Sequence, residues 1–312
     1  MRGCECSGKV GFAHISCLMR QAQIAVDDDE SMGKTNMFNL QAYQTRWMRW
    51  QHCRLCGHEF QGQVMHALGW ACWKSYVNRP EADRLKRWAL ECLGRGLMAG
   101  NRSRAALLAF QSSSDLLRRF GSAAEKRGSS PADAFIPICL SSLGRHEEAL
   151  AFRKKSYLHS KQIGDNSEEA LNFASCLCME LVRNQKYDEA RQMQRETFPR
   201  LRRVFGHEDC RVLSSRAVGA RILYEHPNAS LEEAQEGVTS LEKIARTTER
   251  LLPKCTDPTQ MSMLPTLLDY VRDDLIPLAR AKVAQLSAPA PEPEPPSRES
   301  PPDELDEVED AD

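Results

Sequence analysis

The sequence predicts a mainly α protein: a small zinc-bound module, a solenoid of stacked helix pairs, and a disordered acidic, Pro-rich tail. Three observations carry that prediction. Five of the twelve cysteines fall in the first 56 residues, small residues recur at a fixed spacing through the middle, and seven of the sixteen prolines crowd into residues 287–312. The chain divides accordingly into residues 1–60 (zinc module), 61–96 (Trp-rich connecting helices), 97–285 (helical repeats) and 286–312 (tail).

The N-terminal pattern is Cys4-x-Cys6-x7-His14-x2-Cys17-x35-Cys53-x2-Cys56. The opening MRGCECSGKV lacks the apolar core of about 7–15 residues that marks a secretion signal. Close Cys pairs without such a signal point to metal ahead of disulfides. Tetrahedral zinc takes four S or N ligands at about 2.0–2.3 Å, and a C-x-C or C-x2-C pair is the shortest stretch that turns two thiolates onto one ion. Six ligand-type residues in this order make Zn2+ the expected cofactor.

These blocks resemble the RING-CH finger, the variant RING of membrane-associated and viral ubiquitin ligases. CECSGKVGFAHISCL is similar to that family's second block, and CRLCGHEF to its last, with Phe60 four residues after Cys56. The resemblance implies a cross-brace in which Cys4, Cys6, Cys53 and Cys56 hold one zinc, while His14 and Cys17 are half of a second site. It also implies a ubiquitin-conjugating enzyme as a partner, with no side chain of this chain acting as nucleophile or base. Two departures stand against a complete ligase. The family places a further C-x2-C ahead of the position of Cys4, where this chain has three residues, so the sequence is expected to begin inside the domain. Gln21 stands where members usually carry a Trp on the surface that holds the conjugating enzyme. The long Cys17–Cys53 interval is expected to place Asp27–Glu30 on an exposed loop, and Trp47 and Trp50 offer an aromatic surface from another direction.

Trp47, Trp50, Trp70 and Trp73 lie between the finger and the first repeat. ALGWACWKSYVNRPE reads as a helix docking the finger onto the repeats, its Trp rings packed in a core rather than stacked on a ligand, because each buries a large area. Cys72 reads as a buried thiol rather than a donor to the incomplete site. His58 is set aside as a ligand because the cysteines fill the first site, and Pro80 suits the first turn of a helix.

The middle region repeats. AGNRSRAALLAF, LGRHEEALAFRKK, NQKYDEARQMQRE and, more loosely, NASLEEAQEGVTS align, placing Ala106, Ala149, Ala190 and Ala234 at intervals of 43, 41 and 44 residues. Gly121, Gly164 and Gly206 form a second ladder, each closing a helical run as a residue that takes φ > 0 without strain. Ser230 and Glu233 fit a capping box. Each unit of about 42 residues reads as two antiparallel helices, whose apolar faces are buried only by stacking on neighbouring units. Cys176 and Cys178, two apart on a helix, do not face one another and read as core. The cores GRHEEAL and KYDEAR, with glycines following, resemble the tetratricopeptide repeat of kinesin light chains over about residues 97–252. That resemblance implies a concave surface that binds a protein or peptide; the plainer alternative is a solenoid whose groove binds nothing of note.

The net charge of −1 averages two unlike parts: residues 287–312 carry −9 and the remaining 286 residues +8. A surplus that thin, spread without blocks, disfavours nucleic acid as a partner. No apolar run approaches the ~20 residues of a membrane span, and the cytoplasm is the expected compartment, with the nucleus left open. The tail cannot bury enough apolar surface to offset its ordering entropy. No GxGxxG, GxxxxGK[ST], GxSxG or HExxH motif is present, which leaves nucleotide, acyl-transfer and zinc-protease chemistry without a foothold. Two readings follow: a ligase-type adaptor whose repeats select a substrate, and a non-enzymatic scaffold in which the zinc module caps the repeats. Gln21 and the absent first Cys pair favour the scaffold for this chain as written.

Overall fold

A computed structural model describes residues 4, 14–31, 46–123, 125, 130–164, 167–255 and 257–288. Cys6 and residues 289–312 of the expected tail lie outside the described residues. The described chain is helical, and its one β feature is an isolated antiparallel bridge between His52 and Glu59. No helix among the described residues is long and apolar enough to cross a membrane.

Four helical hairpins follow one another: α3 (Arg84–Ala99) with α4 (Ser103–Phe120), α5 (Ile136–Ser142) with α6 (His146–Ile163), α7 (Glu168–Arg183) with α8 (Tyr187–Phe205), and α9 (Cys210–Glu225) with α10 (Leu231–Leu251). Each helix packs on the next along the chain, both within and between hairpins, which makes the array a helical-repeat solenoid. The hairpin α3/α4 takes in residues 84–96. Ala106, Ala149, Ala190 and Ala234 have no exposed surface, so the recurring small side chain marks where a second helix is crossed most closely. At the far end α11 (Pro258–Asp269), a π-helical segment (Tyr270–Leu275) and α12 (Ile276–Ser287) run on without a break and close over α9 and α10.

The turns explain the repeat spacing. In the first three hairpins the first helix ends with a left-handed residue, at Asn101 (φ 56°), Gly144 (φ 74°) and Gln185 (φ 58°). The next residue then donates back to the helix: Arg102 N to Leu97 O (2.8 Å), Arg145 N to Leu140 O (2.9 Å) and Lys186 N to Leu181 O (2.9 Å). This closing pattern satisfies carbonyls that a helix end would otherwise leave open. Gln185 adopts a conformation that costs a side-chain-bearing residue ~1–2 kcal/mol, part of which glycine gives back through unfolded-state entropy. Gln185→Gly is therefore expected to stabilise the chain by about 0.5 kcal/mol, raising Tm by roughly 1–2 °C; a lowered Tm would contradict the strain argument.

The glycine ladder ends its helices where expected, but for a different reason at two of its three rungs. Gly121 has φ −61° and Gly164 φ 176°, so only Gly206 (φ 86°) uses the left-handed region. At Gly121 the constraint is space: a Cβ would lie 2.5 Å from the carbonyl oxygen of Leu117. Ser230 and Glu233 form the expected capping box. Pro80, by contrast, sits outside the helix it was expected to open. It accepts from Asp83 N (3.0 Å) in a turn, and Asp83 caps α3 through Leu85 N (2.8 Å).

Ahead of the solenoid, α2 (Gly62–Tyr76) lies on α3, with α1 (Ile15–Ser31) and a 3-10 turn (Met48–Trp50) against it. Helix α1 runs through Asp27–Glu30, which corrects the expected loop. An acidic run at a helix C-terminus opposes the helix dipole, yet Ala22 and Val26, four apart and wholly buried, anchor that face. The α2–α3 contact is a backbone crossing: a Cβ on Gly96 would stand 2.9 Å from Met65 O and 3.1 Å from Gly69 Cα. Gly96→Ala is expected to cost about 1–3 kcal/mol through overpacking, although Ala is the better helix former by ~1 kcal/mol. A denaturation midpoint at or above that of the parent would refute the close-contact account.

Candidate functional site

Two features of the described residues bear on function: a thiol cluster at the N-terminal end and a recess on the first helices of the repeats.

The thiol cluster is built on a tight turn. Gly57, at φ 74°, lets the chain fold back so that its N–H donates to Cys53 O (2.9 Å), while Cys53 N donates to His58 O (2.9 Å). The His52–Glu59 bridge pins the base of the turn. This presents Cys53 and Cys56 on one side, and Cys4 comes in from the N-terminal segment, so that the three sulfurs lie within 4.8 Å of one another. Thiolates bound to a tetrahedral zinc at ~2.3 Å stand about 3.8 Å apart, a spacing within the 4.8 Å limit of the three sulfurs. Burial pushes the Cys53 thiol up. The backbone N–H groups of Cys56 and Leu55, with the thiols of Cys4 and Cys56, outweigh it and bring the pKa down to about 7. Such donors stabilise the thiolate, the form a metal binds.

Of the six residues expected to bind metal, Cys4, Cys53 and Cys56 are brought together and Cys6 lies outside the described residues. His14 and Cys17 are not part of the cluster. His14 immediately precedes α1, where its carbonyl accepts from Cys17 N (3.0 Å), and both side chains are exposed. Cys72 is wholly buried, and burial, reinforced by Cys92, pushes its thiol well above the ordinary range, so it is core and not a donor. Trp47 and Trp50 are 5% and 0% exposed. They pack with Tyr76 and Trp88 at centroid distances of 5.3–6.2 Å, which corrects the expectation that they offer an aromatic surface. Trp70, 37% exposed, is the outward-facing ring of α2.

The recess, about 500 Å³, crosses the last turns of α5, α7 and α9. Ile138, Ser141 and Ser142 come from α5, Arg183 from α7, and Arg221 and Glu225 from α9, with His146 and Tyr187 at the starts of the second helices. Beneath it Glu180, 1% exposed, accepts from Ser141 Oγ (2.9 Å) and pairs with Arg183 (3.5 Å). Arg221 makes a bidentate pair with Glu225 (2.7 and 3.0 Å) and donates to Tyr270 Oη (3.2 Å). Burial works against the Arg221 charge, but Glu225 more than offsets it, and the guanidinium pKa is raised. The floor is thus fixed by paired charges, and Ile138 and Arg183 are left facing outward. The recess thus runs over the first helices of three successive hairpins, with an exposed guanidinium and an exposed apolar side chain on its lining. Sequence reasoning located the repeat phase but not these residues. The signal available was that polar side chains stand in the turn before the loop at the three hairpins that line the recess, as in Ser141–Ser142, Arg183 and Glu225.

No protein-family model matches the chain, and no curated protein matches it. Among solved structures it is similar to a point-substituted form of a putative kinesin light chain with nearly identical TPR-like repeats from Podosopora anserina. The identity there is 13%, with 77% of this chain and 98% of that one covered, at a TM-score of 0.47. A second structure of that putative kinesin light chain gives 12% identity, the same coverage and a TM-score of 0.46. BtubC (BKLC) from P. vanneervenii gives 15% identity over 88% of this chain and 90% of that one, with a TM-score of 0.40.

Proposed function

We propose that the chain is a protein-interaction scaffold of the zinc-finger-plus-repeat kind, taking a peptide or partner segment in the recess across α5, α7 and α9. The observation that supports this is the continuity of that recess over three successive hairpins, with a fixed polar floor and exposed Ile138 and Arg183. Selection from a displayed random-peptide library on the full chain tests it. Enriched peptides are expected to lose about tenfold or more in affinity on Ile138→Asp or Arg183→Glu, the scale of one lost anchor. Absence of enrichment, or affinity indifferent to both variants, sinks the reading.

In the same proposal Cys4, Cys53 and Cys56, with Cys6 as the fourth thiolate, hold one structural zinc, and His14 and Cys17 belong to a second site. Zinc supplies rigidity there and no reaction step. A ubiquitin-ligase-like role is the second reading. The observation favouring it is Leu55, 68% exposed at the tip of the cysteine turn, an apolar contact point for a conjugating enzyme. Assay with a panel of conjugating enzymes decides: zinc-dependent ubiquitin chains lost in Cys53→Ser support the ligase, and none with any enzyme leaves the scaffold.

A further inference from the structure

The second hairpin is built differently from its neighbours. Its first helix, α5, has 7 residues where α3, α7 and α9 have 16 each. Pro137 is tolerated only because it falls in the first turn, and it stops α5 from extending backwards. A 3-10 turn, Pro131–Ala134, replaces the lost helix, held by a capping box between Ser130 and Asp133. The missing turns leave a cavity of about 380 Å³ between α4 and α6. Leu117, Ile136 and Phe152 give it an apolar wall, and Lys155, His159 and Arg118, the last paired with Asp115, stand on its rim. Its one acidic lining residue among those described, Asp133, is already engaged by Ser114 Oγ (2.8 Å) and Ser130 N (3.3 Å). Lys155 is exposed and has no acidic partner among the described residues.

Residues 303–310, DELDEVED, carry the complementary pattern: Leu305 and Val308 are the only large apolar side chains of residues 289–312, and six carboxylates surround them. We propose that this segment docks in the α4–α6 cavity of its own molecule, with Leu305 and Val308 on the apolar wall and the flanking carboxylates on Arg118, Lys155 and His159. The +8 of residues 1–286 against the −9 of 287–312 supplies long-range attraction. The apolar pair supplies the register that charge alone lacks.

The reach is sufficient. The π-helical segment and α12 run antiparallel to α10, with Arg272 of the former paired to Glu249 and Arg280 of the latter to Glu242 (2.7 Å), so α12 runs toward the start of α10. From there α6 is about 20–30 Å away across the intervening helices. Lys155 and His159 lie a further ~14–20 Å along it from His146, for roughly 35 Å in all. The 17 residues from Ala288 to Leu305 span about 50 Å in a Pro-rich extended form at ~3.1 Å each.

Zero-length carbodiimide cross-linking of the full chain, read by mass spectrometry, tests the proposal. Lys155 is expected to join carboxylates within 303–310 in preference to the other surface lysines. In mixed light and heavy isotope samples both ends should carry the same label. Leu305→Asp with Val308→Asp should cut the Lys155 cross-link by about tenfold, the scale of one or two buried apolar side chains. Arg118→Glu with His159→Glu should also cut it severalfold while leaving Lys155 in place. Cross-links spread evenly over lysines, or unaffected by the apolar changes, would reduce the contact to diffuse charge attraction and overturn the proposal. Mixed-label pairs would assign the segment to a second copy and overturn it equally.

Discussion

In Cys53→Ser, bound zinc is expected to fall from about one per chain to none, and the N-terminal module to lose its fold while the solenoid keeps its helices. The turn that carries Cys53 is also the support for a small apolar cluster. Phe60, Val64, Met65 and Leu68 are buried together, with Cys4, Leu18, Met19 and Cys53 packed against them. The proposed zinc would tie Cys4 to the turn through Cys53 and Cys56. A structural zinc contributes on the order of 10 kcal/mol to a small finger, comparable with what an apolar cluster of four side chains supplies. Metal content by plasma spectrometry gives the first readout. Tryptophan emission gives the second, because Trp47 and Trp50 lie in the neighbouring layer, while far-UV circular dichroism follows the solenoid. Parent protein that carries no zinc, or a variant with unchanged emission and melting, would remove the metal from the account.

Trp50→Ala is expected to cost about 3–5 kcal/mol, a large share of a domain's usual 5–15 kcal/mol. Trp50 is wholly buried and meets Tyr76 edge-on at 6.2 Å. Its cluster joins Ala22 and Val26 of α1, Ala71 and Cys72 of α2, and Leu85 and Trp88 of α3. No neighbour is placed to collapse into the space without dragging a helix with it. Trp70→Ala is the control. That ring is 37% exposed, and its loss should shift the denaturation midpoint far less. Equal effects from the two would mean that the joint is not packed as described.

The parts of this structure legible in the sequence are those where packing demands one residue type at one phase. Ala106, Ala149, Ala190 and Ala234 are such positions, since a larger side chain would hold the crossing helices apart. Cys4, Cys53 and Cys56 are legible for another reason: the spacing of metal-type cysteines pointed to residues that no local periodicity connects, and the three sulfurs lie together. Asn101 and Gln185 were hidden because neither is glycine, although both take the left-handed turn that Gly144 announces. The shortening of α5 was hidden as well. Pro131 and Pro137 were in plain view, but the surrounding repeat argued for a full helix, and the 3-10 turn at Ser130–Asp133 arises from local capping. The recess was out of reach because its floor depends on Glu180 and Arg221, each of which has a partner beyond its own helix, Ser141 for the one and Tyr270 for the other.

The meeting of Gly69 and Gly96, backbone against backbone, has a mechanical consequence. Helices separated by long side chains can slide or roll as those side chains change rotamer. Helices in direct main-chain contact have no such compliance, and α2 is keyed to α3 like a tooth in a rack. Because α3 is also the first helix of the solenoid, the cysteine turn and the repeat array move as one lever. A surface on the first repeats is thereby held at a set distance and angle from the cysteine turn.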